Sequence, residues 1–263
     1  MISYAQNHED VVLARVFQDA PTGFYIDVGA MHPVHDSVTK HFYDLGWSGI
    51  NVEPSAAYHA LLVAERPRDT NLRVALGDAP GRAVLHHVAD TGLSSLEASV
   101  VERAARSGRA VVEESVEVTT LAAVCREHVR GEIDFLKVDV EGREEAVLRG
   151  GDWSRFRPRV VVVESTKPNS TEQCHQSWEP LLLEAGYRFG LFDGLNRFYV
   201  RGESAELLPR IAAPANVMDG YLSHRTVFAE TRVAELEARL ARMKARRSKT
   251  LFGRMFRSKG APR

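Results

Sequence analysis

From residue 8 to about residue 200, short apolar runs rich in β-branched residues alternate with longer stretches of helical periodicity. This alternation constrains the fold more than any other feature of the chain, because strand and helix taken in turn build an α/β protein with a mostly parallel sheet. A first helix is expected over His8 to Phe17 and a first strand over Phe24 to Val28. A second strand, Gly49 to Glu53, runs into Pro54 and Ser55, which open a helix that Pro67 stops. A third strand is expected over Asn71 to Leu76, then loops and one helix as far as about Val112. Thr120 caps a helix leading to a strand over Ile133 to Val138, closed by Asp139-Val-Glu-Gly142. Arg143 to Leu148 is helical, Arg159 to Glu164 reads as a strand buried on both faces, and a helix covers Trp178 to Ala185. Tyr187 to Leu191 and Asn196 to Val200 flank a turn and form an antiparallel hairpin.

In a doubly wound sheet the ligand sits beyond the carboxyl ends of the strands, where their order reverses. The first such end reads Asp27-Val-Gly-Ala-Met-His-Pro33. Its glycine permits close backbone approach, and its carboxylate can accept from a cationic amino group. Twenty-six residues later Glu53 ends the second strand, where an acidic side chain can accept both hydroxyls of a ribose. The glycines that would cradle a pyrophosphate are missing, which disfavours a nicotinamide-dependent dehydrogenase. S-adenosylmethionine carries no phosphate and suits the pair. The chain has no phosphate loop, nucleophile elbow or His-Glu-x-x-His pair.

Three strings carry a resemblance: Gly23-Phe-Tyr-Ile-Asp-Val-Gly-Ala-Met-His-Pro33, Gly46-Trp-Ser-Gly-Ile-Asn-Val-Glu-Pro54, and Leu136-Lys-Val-Asp-Val-Glu-Gly142 with Val147-Leu-Arg-Gly150. With the opening Ser3-Tyr-Ala-Gln-Asn-His-Glu-Asp10, the chain resembles the FkbM family of S-adenosylmethionine-dependent methyltransferases over roughly residues 3 to 200. The resemblance implies a Rossmann-like class I methyltransferase sheet and O-methylation of a sugar or polyketide hydroxyl. It also implies roles for residues. Asp27, Gly29 and Ala30 would line the methionine and sulfonium end, Glu53 with Pro54 the ribose, and Ala75, Leu76 and Gly77 the adenine side, with Gln6 closing over the cofactor. Asp139 and Glu141 would face the transfer centre. Candidates for the base that takes the hydroxyl proton are Asp139 and His32, with His35 behind them. A second mechanism gives Asp139 and Glu164, ending neighbouring strands, a shared Mg²⁺ that activates the hydroxyl.

Charge divides the chain. Of 34 Lys and Arg and 35 Asp and Glu, nine basic and no acidic residues fall within 242–263, leaving 25 basic against 35 acidic in the remainder. An acidic body excludes nucleic acid as its expected partner. The basic end carries Leu251, Phe252, Met255 and Phe256 on one helical side and has the composition of an interfacial membrane helix. Before it, Val233, Leu236, Leu240 and Met243 follow 3-4-3 spacing and suit pairing with a second copy or docking on the chain's own domain. The expected division is a methyltransferase domain over 1–215, a helix over 216–241 and a basic amphipathic tail over 242–263. Two cysteines and the lack of a signal or spanning segment point to a reduced, cytoplasmic protein, peripheral at the inner membrane face. The same tail also reads as a disordered solubilising extension or, last, as a nucleic-acid contact, and a non-catalytic tethered adaptor is an alternative reading of the whole chain.

Overall fold

The apolar runs become strands in a computed structural model that describes residues 1–88, 94–95, 110–168 and 170–257, with backbone alone at 88, 94–95 and 245–257. Along the chain come β1 (Ile2–Ser3), α1 (Glu9–Val16), β2 (Phe24–Val28), α2 (Lys40–Asp44), β3 (Ser48–Val52), α3 (Ala56–Glu65), β4 (Thr70–Leu72) and β5 (Ala75–Leu76). Next are β6 (Gly81–Val88), β7 (Ser94–Ser95), β8 (Val111–Thr119), α4 (Leu121–His128), β9 (Phe135–Val138), α5 (Glu144–Arg149) and β10 (Val160–Glu164). The named elements end with α6 (Glu179–Glu184), β11 (Tyr187–Phe192), β12 (Asn196–Arg201), α7 (Leu208–Ile211), β13 (Leu222–Ser223) and α8 (His224–Arg257).

Seven strands form the main sheet in the order β11-β12-β10-β9-β2-β3-β4. β4, β3, β2, β9 and β10 are mutually parallel, and β12 runs antiparallel to both β10 and β11. The chain winds from β2 outward to β4, then returns to the other side of β2 for β9 and β10. The reversal opens a crevice at the carboxyl ends of β2 and β9. Alternate residues of β10 feed opposite faces: Val161 and Val163 join α4, α5 and α6 residues such as Val124, Leu148 and Leu182, while Val160 and Val162 join Leu13, Phe42 and Ile211 from α1, α2 and α7. All four valines are fully buried, as an unbroken apolar run between two helical layers requires.

Two expectations are corrected. The third strand does not continue from Asn71 to Leu76: it breaks at Arg73-Val74, and β5 leaves the main sheet for a second one of order β5-β8-β6-β7. The stretch expected to hold loops and one helix contains β6, which pairs antiparallel with β8 from Gly81↔Val118 to Val88↔Val111. The ribbon has a thin core of Ala75, Leu85 and Val116. Glu113, Glu114 and Glu117 around its one buried β8 residue hide the alternation. The one helix expected in that stretch, as far as about Val112, is not found among its described residues, and 89–93 and 96–109 lie outside them. Ser3–Gly220 is one compact unit, and Met1–Ile2 with Tyr221–Arg263 is another, made mostly of α8.

Candidate active site

The three strand ends at the reversal are laced together by backbone. The Gly29 and Ala30 N–H groups donate to the Val52 carbonyl at 3.0 and 3.3 Å, and the Asp139 N–H donates to the Val28 carbonyl at 3.0 Å. Gly29 has φ of +81°, and a Cβ there would lie 1.8 Å from the Asp139 carbonyl oxygen. Only glycine satisfies both the left-handed backbone and the close crossing. Beyond these ends opens a cleft whose lining includes Gly29, Glu53, Asp139, Glu141 and Arg143 together with the apolar Val52, Val74, Ala75, Leu76 and Leu85.

Glu53 is fixed before any ligand arrives. One carboxylate oxygen accepts the Met31 N–H at 2.9 Å and the other the Ser55 N–H at 2.8 Å, and the side chain is 3% exposed. Burial pushes its pKa up to about 7, against the pull of those two backbone donors. Each oxygen retains a second acceptor position.

Beneath the cleft lies a buried ionisable cluster. Lys137 Nζ is 3.3 Å from Asp139 Oδ2 and 3.6 Å from Asp27 Oδ1, and donates to the Gly29 carbonyl at 3.2 Å. Burial alone would lower the lysine pKa, but Asp139, Asp27 and Glu9 outweigh it and raise it above its ordinary value. Asp27, 1% exposed, accepts from Thr39 Oγ1 at 3.0 Å and turns its other oxygen toward Lys137 without a hydrogen bond. Glu164, at the end of β10, is pushed up to about 10 by burial first and then by the charges of Asp139, Glu141 and Glu144, and its Oε2 is buried without a hydrogen bond. A Glu164 that is neutral at ordinary pH follows.

The structure brings Gly29, Glu53, Pro54, Ala75, Leu76, Asp139 and Glu141 together around the cleft. It places others apart. Asp27 lies below the floor with Lys137, and Ala30, Gly77 and Gln6 do not line the cleft; Gln6 is solvent exposed. His32 accepts the Val34 and His35 N–H groups on Nδ1, at 3.0 and 3.1 Å. That fixes the proton of the neutral ring on Nε2, and the nitrogen with a lone pair serves the turn. The pair Asp139 and Glu164 does not fit a magnesium site. Lys137 already occupies the cationic position beside Asp139, and among the described residues no three His, Cys, Asp or Glu side chains are arranged to hold a metal.

Reading the sequence missed Tyr58 and Arg143, which line the cleft from α3 and from the start of α5. It also missed Glu9, whose Oε1 accepts from Asn196 Nδ2 at 2.7 Å. Glu9 stood inside the quoted opening motif, where its acidity was the available signal. Asp10 beside it ties that motif down, accepting from Ser3 Oγ and the Tyr4 N–H, both at 2.7 Å.

The family model described as Methyltransferase FkbM domain matches residues 27–189. Among curated proteins nothing matches the chain. Among solved structures, magnesium protoporphyrin IX methyltransferase from Synechocystis PCC 6803, a crystal structure with bound SAM, is similar over 74% of this chain and 80% of its own, at 11% identity and a TM-score of 0.39.

Proposed function

The chain belongs to the methyltransferase FkbM domain family, and from that premise we propose that the cleft binds S-adenosylmethionine and delivers its methyl group to a sugar hydroxyl of a glycan or glycolipid. One observation carries the reading: a cleft at the strand reversal is lined both by the carboxyls of Glu53, Asp139 and Glu141 and by the apolar Val74, Ala75, Leu76 and Leu85. A cationic head, a ribose and a flat base need those surfaces together. The donor set fits the group.

When bound, S-adenosylmethionine supplies a methyl carbon on a sulfonium. The residues of the cleft would then act chiefly by orienting the acceptor hydroxyl toward that carbon, and orientation provides much of the acceleration. Glu53 accepts from the ribose hydroxyls with its remaining lone pairs. Asp139, whose side chain is 28% exposed, takes the hydroxyl proton, and Lys137 holds its carboxylate in place. A polyketide hydroxyl meets the same chemistry. The basic residues of 242–263 contribute about 1 kcal/mol each near an anionic leaflet, and place the enzyme peripherally at the cytoplasmic membrane face. No helix among the described residues is long and apolar enough to cross a membrane.

Calorimetry on the full chain tests the cofactor: S-adenosylmethionine binds and NAD does not. Asp139→Asn retains that binding and lowers methyl transfer by roughly 10²-fold or more. Tight NAD binding without S-adenosylmethionine binding reverses the assignment to a dehydrogenase. An inert chain whose Asp27→Ala variant keeps its biological effect makes it an adaptor.

A further inference from the structure

We propose that α8 joins two copies of this chain as a short, parallel, two-stranded coiled coil. The inference is independent of the methyl-transfer reading. Val233, Leu236, Leu240 and Met243 follow 3-4-3 spacing, and each is about half exposed, at 54, 47, 51 and 60%. Four apolar side chains in one row on a helix are a seam that needs a partner. In heptad terms Val233 and Leu240 occupy a, Leu236 and Met243 occupy d, and a β-branched a with Leu at d favours two parallel strands.

Charges flanking the seam select the occupant. In a parallel pair the g position of one helix meets the e position five residues on in the other. Arg225 and Arg232 then face the partner subunit's Glu230 and the partner subunit's Glu237, each twice by symmetry, and outnumber the like-charged pair of Arg239 with the partner subunit's Lys244. In an antiparallel pair stacking the same four residues, Arg239 would face its own copy and so would Glu237. Within one chain Arg232 pairs with Glu235 at 3.0 Å, but both are about 60% exposed, which leaves that pair weak. The next a position is Arg247, so the seam closes where the basic stretch gathers. A membrane surface would reward basic residues alone beside the seam, yet Glu230 and Glu237 lie there. A second copy is the occupant those charges fit.

Light scattering during gel filtration of the full chain, with pelleting on phosphatidylserine vesicles alongside, tests the proposal. Expected are twice the chain mass for the native protein and a single-chain mass for Leu236→Glu with Leu240→Glu, both with the same far-UV spectrum and methyl-transfer rate. Glu237→Lys weakens association, and adding Arg232→Glu to it restores association, because the exchanged charges attract again. A single-chain mass at every concentration, a dimer indifferent to Leu236→Glu, or a monomer whose vesicle binding that variant abolishes would each overturn it.

Discussion

Gly29 and Glu53 hold the cleft open by different means. At Gly29 the constraint is steric: φ is +81° and a methyl group would meet the Asp139 carbonyl at 1.8 Å. Backbone, not a mobile side chain, stands in the way. Gly29→Ala is therefore expected to cost about 3 kcal/mol or more, read as a drop in the urea midpoint, and a midpoint unchanged from native would refute the crossing described here. At Glu53 the constraint is electrostatic. Its pKa of about 7 lies above that of an ordinary carboxyl because it is buried, so the proton leaves near neutrality. Affinity for S-adenosylmethionine is expected to rise as pH passes through 7, since the charged form accepts hydroxyls and attracts a cation. Glu53→Gln should flatten that rise, and a profile left intact by the substitution would remove Glu53 from the site.

Among the elements, the β6–β8 ribbon is the least expected part of the site. It leaves the main sheet at β5, which pairs parallel with β8 through Ala75↔Val118, and through Leu85 it supplies part of the cleft's apolar lining. Leu85 is 2% exposed and belongs, among the described residues, to a small core of buried Ala75, Leu85 and Val116. Leu85→Ala should raise KM for S-adenosylmethionine several-fold, with kcat less affected, because the lost contact touches the base side and not the transfer centre. Stability should fall by about 2 kcal/mol. A kcat loss at unchanged KM would contradict this division of labour.

For the whole molecule, the buried carboxyls set a pH dependence. Glu164 is pushed up to about 10, far above its value in an unfolded chain near 4.3. The folded state thus holds a proton that the unfolded state has released, and stability falls as pH rises until the folded group ionises. Glu9 and Glu53, each near 7, act in the same direction at lower pH. His32, His41 and His175, whose pKa values burial lowers, act oppositely below about pH 6.5. Glu203, held near 2 by Arg157, has made its contribution well below that. Between pH 7 and pH 9 Glu164 dominates, with an expected loss of roughly 2 kcal/mol. Urea unfolding at the two pH values measures it, and Glu164→Gln should abolish most of the difference; greater stability at pH 9 would refute the buried, protonated acid.

The strand ends were legible because their chemistry is local. An unbroken valine run such as Val160–Val163 admits few places but the middle of a sheet, and Asp27, Gly29, Glu53 and Asp139 stand out as polar or glycine residues closing apolar runs. Thr120 was readable as a cap, and its side chain does accept the Ala123 N–H at 3.2 Å. The ribbon was not legible, since its inward residues are few and glutamates interrupt them. Nor could spacing tell which acids face the cleft. Asp27 and Glu53 end adjacent strands, yet Glu53 borders the cleft and Asp27 is turned beneath it to Lys137. Sequence alone determined the α/β alternation, the helix signals and the residues at each strand end, because these depend on neighbours a few positions apart. Only the tertiary structure decided the strand order, the departure of β5 and the raised pKa values of Glu9, Lys137 and Glu164. Burial and charge at such sites come from segments more than a hundred residues apart.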